Sequence, residues 1–202
     1  MIDPYMFDEI ISLENLFSAY REFRRGKRDK PDVQLFERHL EDNIFALHEG
    51  LLNCRYQHGS YERFHIFDPK HRIINKATVR DRLVHHAVCR VLGPVFDHSF
   101  IFDSYSCRTG KGTHAAVRRL EVFARKVSKN YTQSCFALQL DIRKVFDSVG
   151  HTILLQILQQ KISCPRTSAL LTEIVESYSS AKRERERVNW YSDRQSDIAA
   201  VC

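Results

Sequence analysis

The sequence predicts an α+β fold, rich in helix, with one β-hairpin and one further strand. Three observations carry this expectation. Apolar residues recur at helical spacing over 9–24 and again from Val33 to Leu51. Two short strand-like runs, 61–67 and 71–76, flank the turn signal Asp68-Pro69-Lys70. A third run places Phe136, Leu138 and Leu140 on one face, as a half-buried strand does.

Taken in order, the first helix aligns Ile10, Leu13, Leu16, Phe17 and Tyr20 on one side. A basic loop follows at 24–30, RRGKRDK, read as a solvated linker. The spacing Val33, Phe36, Leu40, Ile44, Leu47, Leu51 predicts one continuous second helix, packed on the first. After the hairpin, Thr78 reads as an N-cap with Asp81 three residues on. The helix it opens carries Leu83, Ala87 and Val91 toward the core and ends near Gly93-Pro94. Within it, His85 and His86 read as one core-facing and one exposed histidine.

Residues 99–112 read as a loop leading to a basic helix that starts at Thr113. Arg108, Gly110, Lys111 and Gly112 make a basic, flexible approach to that helix N-terminus, a place able to hold phosphate. The string is not a P-loop, because GxxxxGK[ST] is absent. Beyond the third strand a helix is expected at 150–161, with Asp147 as its N-cap, and Pro165 opens another to about Ser179.

The 202 residues are 43% hydrophobic, enough for a sizeable core, and carry a net charge of +6 with a pI near 9.1. A basic excess suits a polyanionic partner. Six cysteines show neither a CxxC pair nor metal-ligand spacing, and Cys89 and Cys135 read as small buried hydrophobes. A reducing cytoplasm is the simplest setting. No apolar run reaches membrane-spanning length, and the start MIDPYMFDEI lacks a signal-peptide pattern.

Chemistry concentrates at Phe136–Ser148, FALQLDIRKVFDS. Asp141 ends the strand on the face opposite its apolar residues, and Phe146 and Asp147 follow closely. A carboxylate placed there can hold a hard cation such as Mg²⁺, which takes oxygen ligands from one or two carboxylates plus substrate phosphates.

The string LQLDIRKVFDS closely resembles the first catalytic motif in the palm of reverse transcriptases of the bacterial retroelement type: group II intron, retron and diversity-generating enzymes. The resemblance spans roughly 9–180. It implies the fingers and a partial palm of a right-hand polymerase, with N-terminal helices and fingers over 1–135 and a first palm segment over 136–180. It makes Asp141 the catalytic metal ligand and Phe146 the ring under the sugar that excludes a 2′-hydroxyl. PKHRIINKATVRDRLVHHAV looks like the family's fingers, where Lys70 and Arg72 would hold the incoming triphosphate and Ile142 would join the nucleotide pocket. DSYSCRTGKGTHAA resembles the stretch that lies along the template. Lys76, Arg80, Arg108, Lys111 and His114 are then nucleic-acid contacts, with Arg118, Arg119 and Lys126 adding to the basic surface. The implied partners are an RNA template, a DNA primer and a deoxynucleoside triphosphate, with Mg²⁺ as cofactor and no membrane.

The family's paired-aspartate motif, its glycine-rich motif and its thumb have no counterpart in this sequence. Residues 181–202 show no core periodicity and are expected not to form a domain element. A synonymous coding sequence for Asn189–Cys202, read one base out of frame, yields IGIPIGNLTSQLF, which resembles that glycine-rich motif. The tail is therefore expected to be frame-shifted, leaving an inactive N-terminal part of the enzyme. Two other readings stand beside it: a non-catalytic RNA-binding module, and an unrelated Mg²⁺-dependent phosphoryl-transfer enzyme using Asp141 and Asp147.

Overall fold

Ser12 divides the first expected helix in two. Its backbone is extended and its Oγ accepts a hydrogen bond from Asn15 N at 3.1 Å, which caps a new helix. The result is α1 (Met6–Ile11) and α2 (Leu13–Phe23) in place of one helix over 9–24. The second expected helix breaks as well, into α3 (Pro31–Glu37) and α4 (Leu40–Leu52). Pro31 starts α3 where a missing N–H costs nothing. At the break, the Asn43 side chain donates to Phe36 O at 2.9 Å and satisfies a carbonyl that a continuous helix would have paired.

The remaining elements are β1 (Glu62–Ile66), β2 (Arg72–Lys76), α5 (Val79–Asp97), α6 (Thr113–Val127), α7 (His151–Gln159) and a last helix, α8, over 165–178. The structure, a computed structural model, describes residues 5–106, 108–142 and 149–178. It is helix-rich with one two-stranded antiparallel sheet, compatible with the α+β expectation. The hairpin forms where expected, with Glu62 opposite Lys76 and Ile66 opposite Arg72.

Five expectations are corrected. First, α5 runs through Gly93-Pro94 to Asp97, since proline's fixed φ is helical and only one donor is lost. Second, no strand forms over 136–140; the segment carries no regular structure, and Phe136 is 97% exposed. A strand needs a neighbour for its backbone N–H and C=O groups, and among the described residues only β1 and β2 pair. Third, Cys135, on that segment, is exposed, and fourth, so is Cys89. Fifth, Gly150 stands at the N-cap of α7. Asp147, expected there, lies outside the described residues, as do Phe146 and the 181–202 tail.

The chain divides into two compact units. One holds the described residues up to Val91 and from Val149 onward; the other runs from Leu92 to Ser148. The first unit holds the core: Ile10, Leu16, Phe23, Val33, Ile44, Leu51, Leu83 and Val84 are fully buried. One buried side chain joins three of its helices. Asn15 Nδ2 donates to Ile10 O (2.9 Å) and to Ala87 O (3.1 Å), while its Oδ1 accepts from Arg90 Nε at 3.0 Å. The second unit is built differently. Its helix α6 buries no residue, and Val117, Leu120, Phe123 and Val127 lie exposed along it.

Replacing Asn15 by leucine keeps the volume but removes the donor to the buried Ile10 and Ala87 carbonyls. An unsatisfied buried polar group costs about 1–3 kcal/mol, so Asn15→Leu is expected to lower the unfolding free energy by about 2 kcal/mol. Urea titration followed by circular dichroism measures this; a variant as stable as the parent would mean that the joint contributes nothing.

Candidate functional site

The most heavily bonded polar group in the first unit is the carboxylate of Asp81, which is fully buried. Thr78 Oγ1 donates to Oδ2 at 2.6 Å, and Asp81 N donates back to Thr78 Oγ1 at 3.2 Å, so the expected cap is present. Three further partners complete it. Tyr56 Oη donates at 2.9 Å, Gly59 N at 3.1 Å, and the Arg80 guanidinium from 3.2 Å. Burial alone would raise the Asp81 pKa. The bonds from Thr78 and Tyr56, with the nearby His58 and Arg80, hold it below the ordinary value. A Cβ on Gly59 would sit 2.9 Å from Asp81 Oδ2, so the close approach of this backbone requires glycine.

This knot orients the root of the hairpin. Tyr56, His58 and Gly59 lead into β1, and Thr78 and Asp81 open α5 directly after β2. From the same loop, His58 N donates to Glu173 Oε1 at 2.8 Å and Tyr61 Oη pairs with Ser177 Oγ at 3.1 Å, which ties in α8. His58 Nδ1 lies 2.7 Å from Gly59 O, an acceptor only, so this nitrogen carries a hydrogen. His58 Nε2 and His85 Nε2 are 3.2 Å apart, with room for a single hydrogen between them. Burial first, and His58 second, push the His85 pKa down to about 4. His86 packs edge-on against Phe23 and is shifted down mainly by burial. Both histidines are thus half-buried, against the expectation of one inside and one outside.

The expected nucleotide and nucleic-acid residues fall into separate settings. Lys70 and Arg72 are exposed at the tip of the hairpin, and their side chains make no hydrogen bond or ion pair to any described residue. Lys76, at the other end, pairs with Asp32 at 2.8 Å and Glu62 at 3.4 Å. Arg80 donates to Gln57 O at 2.6 Å as well as to Asp81. In the second unit Arg108 clamps the 97–108 loop. Its Nε lies 2.6 Å from Asp97 Oδ1, and its Nη1 donates to the carbonyls of Ile101 and Ser104. Lys111 donates to Phe102 O and sits 3.8 Å from that ring's centre. His114 is exposed in the first turn of α6. Asp141 and Ile142 are exposed at the end of the irregular segment. Lys70 and Arg72 share one hairpin end, and Arg108, Lys111 and His114 share one loop and helix start.

The family described as "Reverse transcriptase (RNA-dependent DNA polymerase)" matches residues 67–202. The chain belongs to the reverse transcriptase family. The match takes in the tip of the hairpin, α5, the 98–112 loop, Asp141 and also the 181–202 tail, and leaves the helices before residue 67 outside. Protein YkfC of Escherichia coli (strain K12) is 24% identical over 151 residues, covering 74% of this chain and 39% of that protein. The chain therefore spans about two fifths of the length of this relative.

Reverse transcriptase domains generally use Mg²⁺. Among the described residues no three His, Cys, Asp or Glu side chains gather as a metal site. Asp141 alone offers one oxygen ligand, which does not make up a Mg²⁺ site. Nor, among the described residues, is any helix long and apolar enough to cross a membrane.

The sequence showed Asp81 as a cap residue but not as the centre of this knot. Tyr56 and Gly59, 25 and 22 residues away, carry no local signal for it. The knot makes a prediction about acid. The His85 pKa in the fold lies below the ordinary 6.5, so folding favours its neutral form. That stabilisation is present in full above about pH 6.5 and is lost as the pH falls toward 4. Asp81, also lowered, gives way only below its ordinary carboxylate range. Melting temperature should therefore fall from pH 6.5 to 4.5, and His85→Gln should flatten part of that fall, leaving the His86 share. Parallel pH profiles for parent and variant would contradict this.

Proposed function

We propose that this chain supplies the fingers and first palm segment of an RNA-directed DNA polymerase. The observation that carries the proposal is the family match, whose span contains the hairpin from Phe67 through β2, the 98–112 loop and the Asp141 motif together. In this reading Lys70 and Arg72 meet the incoming triphosphate. Neither is paired with a carboxylate among the described residues, so their charge is available to phosphate. Asp141 contributes an oxygen ligand for Mg²⁺, and Phe146 and Ile142 are assigned to the nucleotide pocket, Phe146 as the ring that excludes a 2′-hydroxyl. Lys76 and Arg80 hold the root of the hairpin in shape, and the template runs by Lys111 and His114. Mg²⁺, when bound, would supply charge neutralisation at the reacting oxygens.

One carboxylate does not support that chemistry. On this reading the chain by itself is inactive, and it becomes competent only when carboxylates from a further polypeptide segment complete the site. The same reading takes the 181–202 tail as frame-shifted, against a family match that continues to residue 202, and the coding DNA decides between the two through the string encoded in the next frame.

The enzymatic test is primer extension on an RNA template with Mg²⁺. The chain alone is expected to incorporate no more nucleotide than its Asp141→Asn variant. Co-expressed with the polypeptide encoded downstream, it should extend the primer, and Asp141→Asn should abolish that gain. Extension by the chain alone above the Asp141→Asn control overturns the inactivity. Extension by the completed enzyme that survives Asp141→Asn overturns the role of Asp141.

A further inference from the structure

Three phenylalanines of the second unit are exposed and held among cations. Phe102 is 68% exposed and Phe100 51% exposed, with Phe123 nearby on α6. Lys111 Nζ lies 3.8 Å from the centre of the Phe102 ring. The Arg119 guanidinium lies 5.3 Å from Phe102 and 4.5 Å from Phe123, and so sits between two rings. Arg108 lies 5.6 Å from Phe100. Single exposed apolar residues are ordinary, but a set of rings interleaved with guanidinium and ammonium groups is the composition that binds unpaired nucleic acid by stacking.

The cations of this face divide by role. Arg108 is neutralised by Asp97, and its remaining donors fix the carbonyls of Ile101 and Ser104, on either side of Phe102. Arg119 is neutralised by Asp103, which also accepts from Tyr105 Oη at 3.0 Å. Both arginines are braces that set the rings. Lys111 has no carboxylate partner among the described residues, so it brings net positive charge to the Phe102 ring.

We propose that Phe102, supported by Phe100, Phe123 and Lys111, is a stacking platform for the bases of single-stranded RNA. The proposal rests on the reading of this chain as part of an RNA-copying enzyme and deepens it. It names an unpaired strand as the ligand of this face, and it places affinity in ring contacts as well as in phosphate charge. A base pair inside a duplex offers no free face to such a ring, whereas every unpaired base does.

The test uses the full 202-residue chain and fluorescence anisotropy with a labelled, unstructured 12-nucleotide RNA and the matching blunt duplex, each at two salt concentrations. The single strand is expected to bind several-fold more tightly than the duplex. Phe102→Ala should weaken single-strand binding about tenfold, the range of a lost base–aromatic stack, without changing its salt dependence. Phe102→Trp should retain the affinity. Lys111→Ala should do the reverse of Phe102→Ala and reduce the salt slope by about 0.7, as for one lost phosphate contact on a single strand. RNA binding with no preference for the single strand, or Phe102→Ala binding as the parent does, overturns the platform and leaves the polymerase reading standing. No RNA binding by the parent at either salt overturns both. Circular dichroism confirms that the variants fold, and because the Phe102 side chain is exposed, Phe102→Trp keeps the comparison decisive.

Discussion

The buried carboxylate of Asp81 is the interaction on which the first unit depends. An ionised carboxylate in a protein interior is unfavourable unless donors surround it. Here donors arrive from four places in the chain: Tyr56, Gly59, Thr78 and Arg80. Meeting that demand fixes both ends of the hairpin at once, because two of the donors precede β1 and two follow β2. A two-stranded ribbon is marginal by itself. This one is held at its base by the knot and by the pair of Lys76 with Asp32 on α3. Rigidity at the root lets the far end, with Lys70 and Arg72, stay exposed to solvent.

The second unit follows a different rule. With no residue of α6 buried, few apolar contacts hold the unit together. Order comes from paired charges and cation–ring contacts: Asp97 with Arg108, Asp103 with Arg119, and Lys111 and Arg119 over Phe102. Such contacts contribute little each when exposed, about 0.5–1 kcal/mol for a cation over a ring. The apolar stripe on α6 and the 136–142 segment are exposed. The irregular state of that segment follows from hydrogen-bond accounting, because among the described residues it has no strand beside it.

Local signals were legible in the sequence. Thr78 and Asp81 marked the start of α5, Pro69 marked the hairpin turn, and Pro165 marked α8, since caps and prolines act within a few residues. The breaks at Ser12 and His39 were missed because apolar periodicity continues across them; each is decided by one side chain, Ser12 or Asn43, that serves the backbone better than another helical turn. Strand 136–140 was read from alternation, which states a preference for two faces but supplies no partner. Cys89 was misplaced because a helix in an apolar run still turns one side outward.

The basic residues show why composition alone does not locate a binding surface. A net charge of +6 suits a polyanionic partner, yet several of the cations that matched the family pattern are already engaged. Lys76 is bonded to Asp32 and Glu62, Arg80 to Asp81 and Gln57, and Arg108 to Asp97. A guanidinium that has spent its donors on a carboxylate and backbone carbonyls attracts phosphate weakly, since binding would first break those bonds. What remains open is Lys70 and Arg72 on the hairpin and Lys111 in the loop, each set in place by the engaged cations near it in sequence. Under the proposed function the engaged residues act on phosphate indirectly. They hold the backbone that carries the free charges, and a substitution among them would disturb binding through the shape of the hairpin or loop, with little direct loss of attraction.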